Sequence, residues 1–197
     1  MITGIHDILE AYRIGIFPMA DARNDPETFW VEPCLRGIIP LDNFNIPRSL
    51  KKFMRECDYG ITINKDFKGV IRACADSPRD HENNTWINHS IESAFIELHE
   101  KGYAHSVEVW DGDNLIGGLY GLAQGGCFNG ESMFSRAENA SKIALVILVE
   151  HLKKRQFTLL DTQFVNDHLK QFGCIEIPQA DYLDLLDSAL IRHVSFV

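Results

Sequence analysis

The chain has no apolar run longer than the seven residues at 143–149, far short of the roughly 18 that a membrane-spanning helix needs. Acidic and polar residues fall within its first ten positions, so no secretory leader is expected. None of the five cysteines (Cys34, Cys57, Cys74, Cys127, Cys174) belongs to a Cys-x-x-Cys pair, and their number is odd. That disfavours a disulfide scaffold or a zinc knuckle and predicts reduced thiols in a cytoplasmic protein. The eight histidines form no His-Glu-x-x-His motif and no tight cluster, so no metal is expected. Gly117-Gly118 and Gly125-Gly126 fit neither Gly-x-Gly-x-x-Gly nor a P-loop, which leaves nucleotide cofactors unsupported. Positive charge is also short: 19 basic against 28 acidic residues give a net charge of −9, which opposes long-range attraction to phosphate.

What is present is ordinary globular material, 197 residues of which 45% are hydrophobic and 24% charged, enough to bury a core without staples. Ile5, Ile8, Leu9 and Tyr12 recur at helical spacing, and Gly15 and Pro18 stop that helix. Residues 20–47 carry many turn formers and are expected to be irregular. A strand is expected at 59–64 and a helix at 67–74. The polar loop at 77–84 is the boundary that composition favours. Beyond it a helix runs to Gly102, and two strands are joined by the turn Asp111-Gly112-Asp113-Asn114. Gly125-Gly126 turns into a further short strand. A helix at 139–154, a strand at 157–161, a helix ending near Gly173, a strand at 174–177 and a last helix from about Asp181 complete the order. The pattern predicts an α+β fold with a mixed sheet.

Three local features carry chemistry. Glu131 lies in Gly130-Glu131-Ser132-Met133-Phe134-Ser135, where Phe134 breaks the Gly-x-Ser-x-Gly pattern of a serine nucleophile. A carboxylate there can hold a cationic group through charge-assisted hydrogen bonds. Asp161 and Gln163 end an apolar strand, where a polar pair either meets a ligand or caps the next helix. Arg48, Lys51, Lys52 and Arg55 share one helix face, by itself read as a solvated surface. Among the tryptophans, Trp110 is expected to pack in the core, while Trp86 beside the polar loop is a candidate for base stacking.

Taken together, Gly15-Ile16-Phe17-Pro18, Arg36-Gly37, Pro47-Arg48-Ser49, Thr85-Trp86-Ile87, Gly117-Gly118-Leu119-Tyr120-Gly121, residues 130–136, Asn139-Ala140-Ser141-Lys142 and Asp161-Thr162-Gln163 resemble one family. It is the leucyl/phenylalanyl-tRNA–protein transferases, matched in order from about residue 8 to 190. The resemblance implies a small N-terminal domain at 1–63 bearing the basic helix. A GNAT-like acyltransferase domain with a mixed, mostly antiparallel sheet would follow at 64–197. It implies transfer of leucine or phenylalanine from aminoacyl-tRNA to the α-amine of an N-terminal arginine or lysine, which marks the protein for N-end-rule degradation in the cytoplasm. No cofactor or metal is implied, since the aminoacyl ester is already activated. Residues 134–138 also lack the glycines that would cradle the pyrophosphate of coenzyme A.

By the same resemblance Asp161 and Gln163 form a catalytic relay, and Glu131 pairs with the acceptor's cationic N-terminus. Leu119, Phe128, Met133, Leu148, Leu152 and Leu160 build the aminoacyl pocket. Trp86 meets the terminal adenosine of the tRNA, and Met19 stands where the family often has tryptophan. The basic face Arg48, Lys51, Lys52 and Arg55 becomes a tRNA-phosphate surface.

Overall fold

The computed structural model describes residues 4–77 and 85–197, so all but Ser77 of the expected boundary loop lies outside the described residues. The sheet grows from the most regular part of the sequence. Strands β5 (Ala104–Asp111) and β6 (Asn114–Gln124) form a hairpin in which Asp111 pairs with Asn114. Gly112 in the two-residue turn takes the left-handed φ of +56° that such a turn needs. After Gly125-Gly126 the chain returns antiparallel as β7 (Cys127–Ser135), and it crosses through helix α5 (Ala140–Lys154) to β8 (Leu159–Gln163), parallel to β7. Residues 130–135, expected to follow a strand, are therefore the second half of a strand.

Three shorter strands complete the sheet. β4 (Gly60–Ile63) pairs with β5, β3 (Leu35–Ile38) with β8, and β9 (Ile175–Pro178) with β3, all antiparallel. The order is β4-β5-β6-β7-β8-β3-β9, with β7–β8 as its parallel pair, so the mixed, mostly antiparallel sheet of the expectation is present. The irregular stretch expected at 20–47 is corrected in part. It holds β3 and also β2 (Phe29–Val31), which pairs with β1 (Phe17–Met19) in a small separate sheet. β3 is only four residues long and owes its conformation to β8 and β9, more than 120 residues further along the chain. Both β3 and β4 lie N-terminal to residue 64 yet belong to the seven-stranded sheet.

Side chains alternate across the strands and build a core on each face. Val107, Val109, Leu119, Phe128 and Leu160 meet α5 and Leu50 of helix α2 (Arg48–Glu56). Tyr120, Leu122 and Phe134 meet α1 (Ile5–Arg13), α3 (Phe67–Ala75) and α4 (His89–Glu100). Helix α7 (Gln179–Leu190) covers Ile38, Cys127 and Leu159, and the single turn α6 (Asp167–Lys170) follows β8. Trp110, expected in the core, is half-buried, its indole N–H donating to Thr62 Oγ1 at 2.7 Å. Among the described residues no helix is long and apolar enough to cross a membrane.

Candidate active site

β7 and β8 run paired through Cys127–Leu159, Phe128–Leu160 and Asn129–Asp161, and then part. Two irregularities sit where they part. On β7 the register against β6 jumps from Gly121–Gly130 to Tyr120–Ser132, which leaves Glu131 as the extra residue of a β-bulge. On β8 Gln163 adopts a left-handed φ of +56°, and the Phe164 N–H donates to the Thr162 carbonyl at 2.6 Å. That is a tight γ-type turn centred on a non-glycine residue, a rare and strained arrangement.

A cavity of about 590 Å³ opens beside this parting. Leu119, Met133, Leu148 and Leu160, four of the six residues expected to form a pocket, line it together with Trp86 and Glu131. Phe128 and Leu152 do not. Both are fully buried beneath it, and the Phe128 ring stacks on Phe196 at 5.2 Å. Leu152 sits one helical turn beyond Leu148, too deep in the core to reach the space. Leu145, three residues before Leu148, supplies a wall that the sequence reading missed. Polar residues line it too, among them Ser135, Ser141, Thr162, Asn166 and His168. The His168 Nε2 is buried without a hydrogen-bond partner, and burial followed by the nearby Lys142 charge lowers the pKa of the ring. Met19 is not a lining residue. It packs in the cluster that includes Trp86, whose carbonyl accepts the Ala20 N–H at 3.1 Å.

A continuous polar chain stands behind the cavity wall. Gln163 Nε2 donates to Glu131 Oε1 at 3.4 Å, and the Gln163 backbone N–H donates to Asp161 Oδ1 at 2.8 Å. Asp161 does not cap the following helix, whose cap is Asn166. It is held bidentately by Arg36, with Nε to Oδ1 at 2.8 Å and Nη2 to Oδ2 at 2.6 Å, and Tyr182 donates to Oδ2 at 3.3 Å. Both charged side chains are 0% exposed. The remaining Arg36 nitrogen donates to the Gly15 carbonyl at 2.8 Å, and the guanidinium lies over the Phe17 and Tyr182 rings at 4.8 and 4.4 Å. Burial opposes the Arg36 charge, but Asp161 outweighs it and raises the pKa above the usual arginine value. Asp161 thus lies sealed behind the cavity, with both oxygens occupied.

Among the described residues, Glu131 is the carboxylate that lines the cavity. Burial pushes its pKa up to about 8; the Tyr12 hydroxyl and Arg36 pull the other way, and Asp161 adds to the rise. Tyr12 is itself buried, and desolvation followed by the Glu131 charge holds its pKa well above the ordinary phenol value. Arg36, Tyr12 and Tyr182 are further site residues that local reading missed. A lone arginine inside the apolar stretch 35–41 was the available signal for the first. On α2, Arg48, Lys51, Lys52 and Arg55 are all exposed, opposite buried Leu50, and Lys52 approaches Glu56 at 3.9 Å. They are not among the residues that line the cavity.

A family model described as leucyl/phenylalanyl-tRNA protein transferase matches residues 38–187, and one for the N-terminal domain of that protein matches residues 5–34. A leucyl/phenylalanyl-tRNA–protein transferase of Rhodopseudomonas palustris is 52% identical over 189 residues, covering 96% of this chain and 84% of its own. That of Cereibacter sphaeroides is 51% identical over 189 residues, covering 96% of this chain and 86% of its own. Among solved structures, L-PGS from Bacillus licheniformis aligns at a TM-score of 0.47 with 13% identity, over 95% of this chain and 71% of its own. With the two family models following one another along the sequence and half of all residues shared with named relatives, the chain belongs to the leucyl/phenylalanyl-tRNA–protein transferase family.

Proposed function

We propose that the protein transfers leucine or phenylalanine from aminoacyl-tRNA to the α-amine of an N-terminal arginine or lysine, and so marks the acceptor for N-end-rule degradation in the cytoplasm. One observation carries this reading: a cavity with an apolar wall, large enough for a phenylalanyl side chain and its ester, has among the described residues one lining carboxylate, Glu131, which sits on a bulge. Leu119, Met133, Leu145, Leu148 and Leu160 receive the amino-acid side chain by apolar burial. Such a pocket rejects polar residues strongly and distinguishes aliphatic ones by only about 1–3 kcal/mol per methylene.

The acceptor amine attacks the ester carbonyl; the C–N bond forms, the C–O bond to the ribose breaks, and the ribose oxygen leaves with a proton. An α-amine with a pKa near ~8 is partly neutral at physiological pH, so proton removal needs only a weak, well-placed base. Glu131 takes the cationic side chain or amine of the acceptor, and Gln163 orients Glu131 through its amide. Asp161 acts on the reaction through Gln163. Trp86, a residue of the cavity wall, stacks on the terminal adenosine, Met19 packs in the same apolar cluster as Trp86, and the exposed face Arg48, Lys51, Lys52 and Arg55 contacts tRNA phosphates. In this reading the division at 1–63 and 64–197 separates the tRNA-binding helix from the transfer centre, although Tyr12, Gly15 and Arg36 pack beneath that centre. Labelled phenylalanyl-tRNA should label a peptide beginning with arginine and not one beginning with alanine; equal labelling of both, or of neither, overturns the proposal.

A further inference from the structure

The strained turn at Gln163 has to be held by something, because a glutamine left to itself avoids the left-handed region. Of two adjacent residues of β3, Gly37 abuts it directly and Arg36 reaches it through Asp161. We propose that Arg36-Gly37 is the positioning element of the transfer centre: Arg36 clamps the Asp161 carboxylate that fixes the Gln163 backbone, and Gly37 leaves the space that the turned backbone fills. The inference rests on the transferase reading above and assigns it two residues that do not touch substrate.

Arg36 acts through geometry that allows no slack. Its two N–H donors hold both Asp161 oxygens at 2.8 and 2.6 Å, and Oδ1 then accepts the Gln163 N–H at 2.8 Å. The guanidinium is anchored in turn by the Gly15 carbonyl at 2.8 Å and between the Phe17 and Tyr182 rings. A planar fork sets the orientation of the carboxylate as well as its position, which a lysine cannot do.

Gly37 acts by having no side chain. It stands opposite Gln163 in the β3–β8 register, next to a register shift. A Cβ there would lie 2.7 Å from the Phe164 carbonyl carbon, 2.9 Å from its oxygen and 2.9 Å from Thr162 Oγ1. Two of these three atoms are the backbone carbonyl of Phe164, the residue whose N–H closes the turn, so relieving the clash displaces the turn at 162–164. The Gln163 amide, which reaches Glu131 Oε1 at 3.4 Å, moves with it. Asp161 is on this account a strut, its charge matched by Arg36 and its oxygens closed to any substrate proton.

The test is a two-by-two cycle on the full chain, read as single-turnover rates and KM for phenylalanyl-tRNA with an arginine peptide. Gly37→Ala should lower the rate about 10- to 100-fold, as displacements of about 1 Å do. KM for the tRNA should stay within about twofold, since Leu119 and Met133 are untouched. In a Gln163→Ala background the same replacement should change the rate by less than about twofold, because the amide to be positioned has gone. Arg36→Lys, which keeps the charge, is carried through the same cycle and decides the matter should Gly37→Ala not fold. An equal loss in both backgrounds, or no loss in either, overturns the proposal while leaving the transferase reading intact. Absence of transfer by the unaltered protein overturns both.

Discussion

Glu131 gives the most direct handle on the site, because its ionisation should control acceptor binding. With a carboxyl pKa of about 8, only about one-tenth of the molecules carry the charge at pH 7, and about nine-tenths carry it at pH 9. A guanidinium stays charged throughout this range and needs the ionised form as its partner. The affinity of a peptide beginning with arginine should therefore rise about tenfold from pH 7 to pH 9. Binding at pH 7 should also release close to one proton, which calorimetry in buffers of different ionisation enthalpy reads out. A peptide beginning with the neutral isostere citrulline should bind weakly with no such slope, and Glu131→Gln should flatten the arginine profile.

The sign for stability follows from the same shift. The folded pKa lies above the ordinary 4.5, so the contribution of Glu131 is fully present below about pH 4.5 and is lost as pH rises through 8. Glu131→Gln should accordingly raise Tm relative to the unaltered protein at pH 9 and not at pH 4. A pH-independent arginine affinity in the unaltered protein, or a slope that survives Glu131→Gln, would refute the placement of Glu131 opposite the acceptor cation.

Removing Arg36 alone strands a buried carboxylate, so Arg36→Met should cost about 3–5 kcal/mol in denaturant unfolding, and adding Asp161→Asn should recover much of it. A cost under about 1 kcal/mol would mean that water reaches Asp161. Leu152→Ala should lose about 2–5 kcal/mol of stability and leave the preference between leucyl- and phenylalanyl-tRNA unchanged, whereas Leu145→Ala should shift that preference. The reverse pattern would put the amino acid deeper than the cavity described here. Four phosphate contacts on α2 give a log–log salt slope of about −3 for tRNA binding, and replacing Arg48 and Lys51 by alanine should roughly halve it. A slope that ignores these replacements removes the helix from the tRNA surface.

The second half of the chain was legible because its information is local. Alternation at 106–110, the Asp111-Gly112-Asp113-Asn114 turn and the helical stripe at 139–154 each report structure built from residues near in sequence, and each became part of the element it announced. The helical spacing of Arg48, Lys51, Lys52 and Arg55 was of the same kind and ended as an exposed face. The motif run at 130–136 with Asp161 and Gln163 identified the family through residue identity alone. Tertiary structure decided what those residues do. Whether Leu152 walls a cavity or supports it depends on how deep one helical turn reaches, and the bulge that turns Glu131 toward the cavity exists only as a mismatch between β6 and β7. The partner of Asp161 is Arg36, 125 residues earlier, in a stretch whose prolines concealed a strand that forms only between β8 and β9. Periodicity records a residue's neighbours along the chain, but the charge state of a buried carboxylate is set by neighbours through space, and those appear only once the sheet has closed.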